Sequence, residues 1–269
     1  MFDLARIAQT GFIEQIDFHE TLGSTNDRAL EVGASGDWKL PLLVLAERQT
    51  AGRGRGSNSW LTTDGALTFS LVLEAPLEQL PPSQWPQVAL VAGVAVAEAL
   101  SRFVPASRLQ LKWPNDIYLN GRKAGGILSE SVPGWRDRLV VGIGVNVNNR
   151  PQGAAERGQG AGDQGKLSGI AVSLVEFDGI ERNLTGVLAA ILDEFERWWE
   201  VLLNAGFGSI AEAYRGRCLL TGKTVTIQQH EEEKICGVCR GLDPYGGLLL
   251  GTPHGEKAVI SGTVVAWQE

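Results

Sequence analysis

Two short segments hold most of the reactive chemistry available to this chain. QTAGRGRG, at residues 49–56, places Arg53 and Arg55 between glycines, just after an apolar run at 42–46 that reads as a buried strand. Glycine lets the backbone turn sharply and approach a ligand closely. Guanidinium groups offer only donors and positive charge. Such a loop suits one or more anions held against main-chain N–H groups. For the loop alone, an ordinary glycine-rich surface turn is an equal alternative. The second segment is KWPND, at residues 112–116, followed by Lys123. Pro114 forces an extended or turned backbone there, which would hold the Lys112, Asn115 and Asp116 heads at the end of a strand. Singly, these residues have plainer readings: Lys112 snorkels, Trp113 fills core, and Asn115 and Asp116 make a turn.

The elements that must position these groups alternate irregularly along the chain. Residues 42–46 and 66–73 read as strands, aliphatic and bounded by Gly and Pro. Residues 87–103 read as a largely buried helix that stops before Pro105. Two short strands, 109–112 and 117–119, flank WPND. Asn120-Gly121 is a tight-turn signal, so 117–119 should pair with 123–129 as a hairpin, and 139–147 is the next strand. Residues 151–165 are rich in Gly, Gln and Ala without a period and read as a mobile loop. Residues 184–203 form the clearest amphipathic helix, with Leu184, Leu188, Ile191, Phe195, Trp198 and Leu202 on one side. From Thr221 short strand runs follow, punctuated by turns that include a glutamate run at 231–233. They predict a small all-β barrel appended to an α+β body.

Composition narrows the class. The chain has 269 residues, 43% hydrophobic and 20% charged, with a formal net charge of -7. It is therefore globular, and its charge argues against a general nucleic-acid binder, which usually carries a basic face. A local basic pocket built from Arg53, Arg55, Lys112, Arg122 and Lys123 remains compatible. Three cysteines point to a reducing compartment without a disulfide framework. Cys236 and Cys239 form a CxxC with no second half, on a segment that reads as a strand, where residues three apart face opposite sides; two packed thiols are expected rather than a metal site. Asp3, Arg6 and Glu14 interrupt any secretory signal, and the longest apolar stretch, 88–97, is too short to span a bilayer. The expected location is the cytoplasm. No GxxxxGK[ST] loop is present.

Taken together and in order, the motifs resemble those of the biotin protein ligases. GSTND at 23–27 is similar to the family's STN segment, ERQTAGRGR at 47–55 to its ligand loop, and residues 112–116 to its KWPND. RKAGGIL at 122–128 is similar to its K-x-x-GIL, and VGIGVNVN at 141–148 to its GIGINVN strand. The resemblance covers the chain from about residue 16 onward, with 151–165 unmatched. It implies an α+β fold: a mixed-sheet catalytic domain of the biotin/lipoate ligase kind (1–220) and a C-terminal SH3-like β-barrel (221–269). Too few residues precede the STN segment for a helix-turn-helix domain, so the resemblance is to the ligase-only type, without DNA binding. After Arg55 the loop continues GSNSW, where many relatives keep further basic residues.

The resemblance also implies a two-step reaction. Biotin and ATP, with Mg2+, give biotinyl-5′-AMP, and the biotinyl group then passes to a lysine of a biotin carboxyl carrier protein. It carries Ser24, Thr25, Asn26 and Gln49 over to the biotin head, although Asn26 could equally cap a helix. Gly52, Arg53, Gly54, Arg55, Lys112, Asn115, Lys123 and Gly125 carry over to the anionic centre, and Trp60 and Asn146 to adenine. Asp116 would orient Lys123 or help deprotonate the acceptor amine. Family members occur as monomers and dimers, so a homodimer is compatible. Two rivals stay open: a lipoate-type ligase of related fold, and a regulatory binding module without turnover.

Overall fold

The computed structural model of the protein describes residues 1–151, 171–229 and 233–268. The expected loop at 151–165, apart from Pro151, and residues 231 and 232 of the glutamate run lie outside the described residues.

Strands β1 (Gln15–Leu22), β2 (Leu42–Gln49), β3 (Ala66–Glu74), β4 (Leu109–Lys112), β5 (Asp116–Leu119), β6 (Arg122–Ser131) and β7 (Arg138–Asn146) form the sheet of the body. Its order among the described residues is β1-β2-β3-β7-β6-β5-β4. Only β1 and β2 run parallel; the remaining neighbours are antiparallel. The helices are α1 (Leu4–Ala8), α2 (Thr25–Ser35), α3 (Pro86–Leu100), α4 (Leu174–Asp178), α5 (Leu184–Ala205) and α6 (Gly208–Arg215).

Side-chain alternation divides the sheet into two faces. Leu67, Phe69, Leu71 and Leu73 of β3, with Val141, Ile143 and Val145 of β7, point into the main core against α3 and α5. Every residue of α3 except Pro86 and Glu98 is buried there, as its apolar sequence on most sides requires. On the opposite face Val72 and Val140 meet Ala29 and Val32 of α2. Beyond them that face turns polar or empty, at Thr68, Ser70, Gly142 and Gly144; the first turn of α2 reaches over it through Thr25 and Asn26, and the remainder is uncovered among the described residues. This uncovered part is the floor of a cleft.

The C-terminal strands β8 (Thr224–Gln228), β9 (Lys234–Leu242), β10 (Leu248–Thr252), β11 (Gly255–Val259) and β12 (Thr263–Gln268) form a second sheet. The expected SH3-like barrel is not found. The order is β11-β10-β9-β8-β12, and the two end strands, β11 and β12, do not pair. The register shifts at Arg240 of β9 and Val265 of β12, and the sheet does not close. Its apolar side, including Val225, Ile227, Leu248 and Leu250, joins the main core, so the body covers the face that closure would have covered. Cys236 is exposed and Cys239 buried, on opposite faces of β9, so the expectation of two packed thiols holds for Cys239 and fails for Cys236.

Candidate active site

Helix α2 brings the first group of site residues to the sheet. Ser24 is its N-cap, its hydroxyl accepting from the Asp27 N–H at 3.5 Å. The cap is thus Ser24 and not Asn26, which lies in the first turn and reaches across the sheet. Asn26 donates to the Leu128 carbonyl (3.2 Å) and to Glu130 Oε2 (2.9 Å), and its Oδ1 accepts from Ser70 Oγ at 2.7 Å. Beside it, Gln49 Oε1 accepts from the Thr25 N–H (2.7 Å) and hydroxyl (3.0 Å). These groups are buried and mutually satisfied, so they fix one another's orientation.

The glycine-rich loop folds back on itself after β2. Ala51 N–H donates to the Gly23 carbonyl, and Trp60 N–H to that of Gly52, both at 2.8 Å. A Cβ at Gly52 would stand 2.4 Å from the Trp60 carbonyl oxygen, so only glycine permits this closure. Trp60 lies flat on the floor, where a Cβ at Gly144 would come within 2.4 Å of its ring. Arg53 makes a two-pronged contact with Glu130 (3.0 and 2.7 Å), and its Nε lies 2.7 Å from Asp27 Oδ1. Those carboxylates, Glu130 first, raise the Arg53 pKa. Arg55 instead donates to the Gly262 carbonyl of the C-terminal sheet at 2.7 Å.

KWPND forms the turn between β4 and β5. Asn115 ties it to β6 through the Ile127 carbonyl (2.7 Å), and Trp113 to the C-terminal sheet through the Gly246 carbonyl (3.1 Å). Asp116 pairs with Gly126 across the β5–β6 hairpin and so faces the cleft. Lys123 reaches the same side by way of a bulge. The register slips between Ile117 and Tyr118, Ala124 turns into the main core, and Lys123 Nζ meets Asp116 Oδ1 at 2.5 Å. Bulges re-aim side chains in this way next to active sites. Lys112 stands nearby, its pKa lowered by burial, which outweighs the opposing field of Asp116.

These residues line one cleft of about 900 Å³. Ser24, Thr25, Asn26, Gln49, Arg53, Gly54, Arg55, Trp60, Lys112, Asn115, Asp116, Lys123 and Asn146 all border it. Gly52 and Gly125 do not; they act on its backbone frame, and a Cβ at Gly125 would press to 2.8 Å on the Gly144 carbonyl. Asn146 accepts from Asn149 Nδ2 at 2.9 Å. The sequence reading missed Glu130, Ser70, Thr68, and Thr263 and Val264 of the second sheet. Thr68 and Ser70 had left a signal, two polar residues at a two-residue spacing in an otherwise apolar strand. Among the described residues, the buried Thr68 hydroxyl and Trp60 indole N–H have no hydrogen-bond partner. Buried polar atoms are ordinarily paired, so these two are open to a ligand.

Fold and site together define a ligase of the biotin/lipoate type. Residues 18–148 match the Biotin/lipoate A/B protein ligase family, and residues 220–267 match the Biotin protein ligase C terminal domain. The chain is 36% identical to the biotin–[acetyl-CoA-carboxylase] ligase of Paracoccus denitrificans over 90% of its length and 96% of that protein. It is 32% identical to the bifunctional ligase/repressor BirA of Bacillus subtilis over 93% of its length and 74% of that protein. The Aquifex aeolicus biotin protein ligase solved with biotin and ATP superposes with a TM-score of 0.75, at 29% identity, covering 93% of this chain and 97% of that one. The chain belongs to the biotin protein ligase family. Among the described residues no helix is long and apolar enough to cross a membrane.

Proposed function

We propose a division of labour in this cleft for the two half-reactions of an ATP-dependent biotin protein ligase. The enzyme forms biotinyl-5′-AMP. A carboxylate oxygen of biotin attacks the α-phosphorus of ATP and pyrophosphate leaves. A lysine amine of a biotin carboxyl carrier protein then attacks the acyl carbon, and AMP leaves. The observation that carries the assignment is that Lys112, Lys123 and Arg55 border the same cleft as Thr25 and Gln49, whose mutual hydrogen bond is backed by Ser70; we read the cations as one end of it and this network as the other. The network end offers fixed donors and acceptors to a small polar ring system. The cationic end brings two anions together, which is where charge must be stabilised.

Lys123 contacts the biotin carboxylate and the α-phosphate, and Asp116 holds its ammonium in place. Asp116 also stands where it can take the proton of the acceptor amine. Trp60 and Asn146 serve the adenine side. Magnesium would arrive on ATP, held by phosphate oxygens and water; among the described residues no cluster of three or more His, Cys, Asp or Glu stands ready for an ion. Residues 1–220 supply the groups that contact the substrates, and 221–269 form a C-terminal unit set against them whose Thr263 and Val264 border the cleft. The sparse cysteines suit a reducing cytoplasm. The test is biotin-dependent ATP–pyrophosphate exchange, followed by transfer to a carrier domain read by mass. Lys123→Ala should lower exchange about 30-fold or more, the loss of a buried charge partner being about 2–5 kcal/mol. Unchanged exchange would remove Lys123 from the mechanism.

A further inference from the structure

Lys112 is half-buried, yet among the described residues its ammonium makes no hydrogen bond and no ion pair. The nearby carboxylate, Asp116, is taken by Lys123 at 2.5 Å. What Lys112 does meet is an aromatic face. Its Nζ lies 4.3 Å from the ring centroid of Trp267, with the Tyr118 ring further off at 6.0 Å. Trp267 belongs to β12, an end strand of the C-terminal sheet, whose Thr263 and Val264 also border the cleft.

An aromatic face and a carboxylate would hold this cation differently. A carboxylate accepts the N–H groups and neutralises the charge. An indole face attracts the charge through its quadrupole and accepts no conventional hydrogen bond. The N–H donors of Lys112 that do not point at the ring are therefore left for an incoming anion, while the side chain is kept from wandering. We propose that Trp267 is a positioning residue of the adenylation step: the C-terminal sheet holds Lys112 over the cleft through it, with the ammonium donors open toward the ATP phosphates. The proposal rests on the reading of Lys112 as a phosphate contact. It makes the C-terminal sheet part of the active centre through one side chain.

Trp267 is partly exposed, at 37%, so its truncation is compatible with a folded enzyme. The test uses the full chain as Trp267→Ala, Trp267→Phe, Lys112→Met and Lys112→Met/Trp267→Ala. Two quantities are read: affinity of the biotin-saturated enzyme for a non-hydrolysable ATP analogue, and kcat/KM for ATP in pyrophosphate exchange. Trp267→Ala should lower both by about 2- to 5-fold, the range of a solvent-exposed cation–π contact. Biotin affinity should stay within about twofold, as for independent sites. Trp267→Phe, which keeps an aromatic face, should recover most of the loss. Adding Trp267→Ala to Lys112→Met should weaken analogue binding no further. The proposal is overturned if Trp267→Ala binds the analogue like the native chain, if Phe is no better than Ala, or if the Ala effect is undiminished in the Lys112→Met background. A neutral Trp267→Ala beside a damaging Lys112→Met would sink this proposal alone. A neutral Lys112→Met would sink the reading of Lys112 and the proposal with it.

Discussion

A single methyl group at position 142 tests whether the cleft floor holds the biotin-side network in place. A Cβ at Gly142 would sit 1.8 Å from Asn26 Oδ1 and 2.7 Å from its Cγ. Carbon atoms in contact rest about 3.5–4.0 Å apart, so Asn26 must retreat by roughly 1 Å or more. The retreat breaks its bonds with Ser70 (2.7 Å) and Glu130 (2.9 Å). A neutral hydrogen bond contributes about 1 kcal/mol net, and one to a charged group about 1.5–3 kcal/mol. Overpacking strain adds about 1–3 kcal/mol. Gly142→Ala should therefore cost about 3.5–7 kcal/mol if both bonds are lost outright, a large share of the roughly 5–15 kcal/mol that holds a domain of this kind together.

The assay is urea unfolding of four chains: native, Gly142→Ala, Asn26→Ala and the double variant. If the cost runs through Asn26, truncating that residue removes the clash. Gly142→Ala should then be nearly free in the Asn26→Ala background, or even stabilising by about 0.5–1 kcal/mol, since alanine restricts the unfolded chain more than glycine does. The interaction energy of the cycle should approach the whole cost of the single substitution. Equal costs in both backgrounds would refute the account of the floor. Biotin titration of the same set should show both single variants impaired, because the same displacement disturbs the side of the cleft assigned to biotin.

Two further outcomes follow from individual contacts. Arg55→Gly removes a loop side chain that grips the Gly262 carbonyl, so the loop should shield the adenylate less well from outside amines; incubation with bystander proteins should show more labelling than the native enzyme gives, and equal labelling would count against retention by Arg55. The Cys218 thiol is pushed below the ordinary thiol range, first of all by hydrogen bonding with the Cys239 thiol, so its alkylation by iodoacetamide should begin at lower pH than that of a free cysteine. Cys239→Ala should move the midpoint of its alkylation profile upward, and an unmoved midpoint would exclude that cause.

The body of the fold was legible wherever hydrophobic periodicity was unambiguous. The apolar runs at 42–46 and 66–73 became β2 and β3. The amphipathic run at 184–203 became α5. Asn120 and Gly121 both adopt positive φ, 51° and 77°, as the tight turn requires. Strand β1 passed unread because QIDFHETL has no clean alternation and pairs only at one edge, with β2. The C-terminal strands were legible one by one, but their closure was not. Whether a curved sheet closes depends on what covers its apolar face, and here the cover comes from residues far away in sequence, such as Leu90 and Phe207 against Gly246.

The site divides in the same way. Residues whose chemistry is written in their type, the arginines and lysines of the two motifs, announced themselves. Their partners did not, because Glu130, Ser70 and Trp267 are defined only by strand register and by the docking of the second sheet. Lys123 shows how narrow the margin is. Counting back from Gly126 with a two-residue period puts Ala124 over the cleft and Lys123 in the core. The slip between Ile117 and Tyr118 reverses that assignment. It buries the small apolar side chain and delivers the ammonium to Asp116. A bulge at this point leaves no mark in composition, and its only trace in the sequence is the order of Lys123 and Ala124. It is fixed by the energetic preference for burying alanine and solvating lysine, the same preference that turns a structural hairpin into the wall of a cleft carrying a cationic side chain.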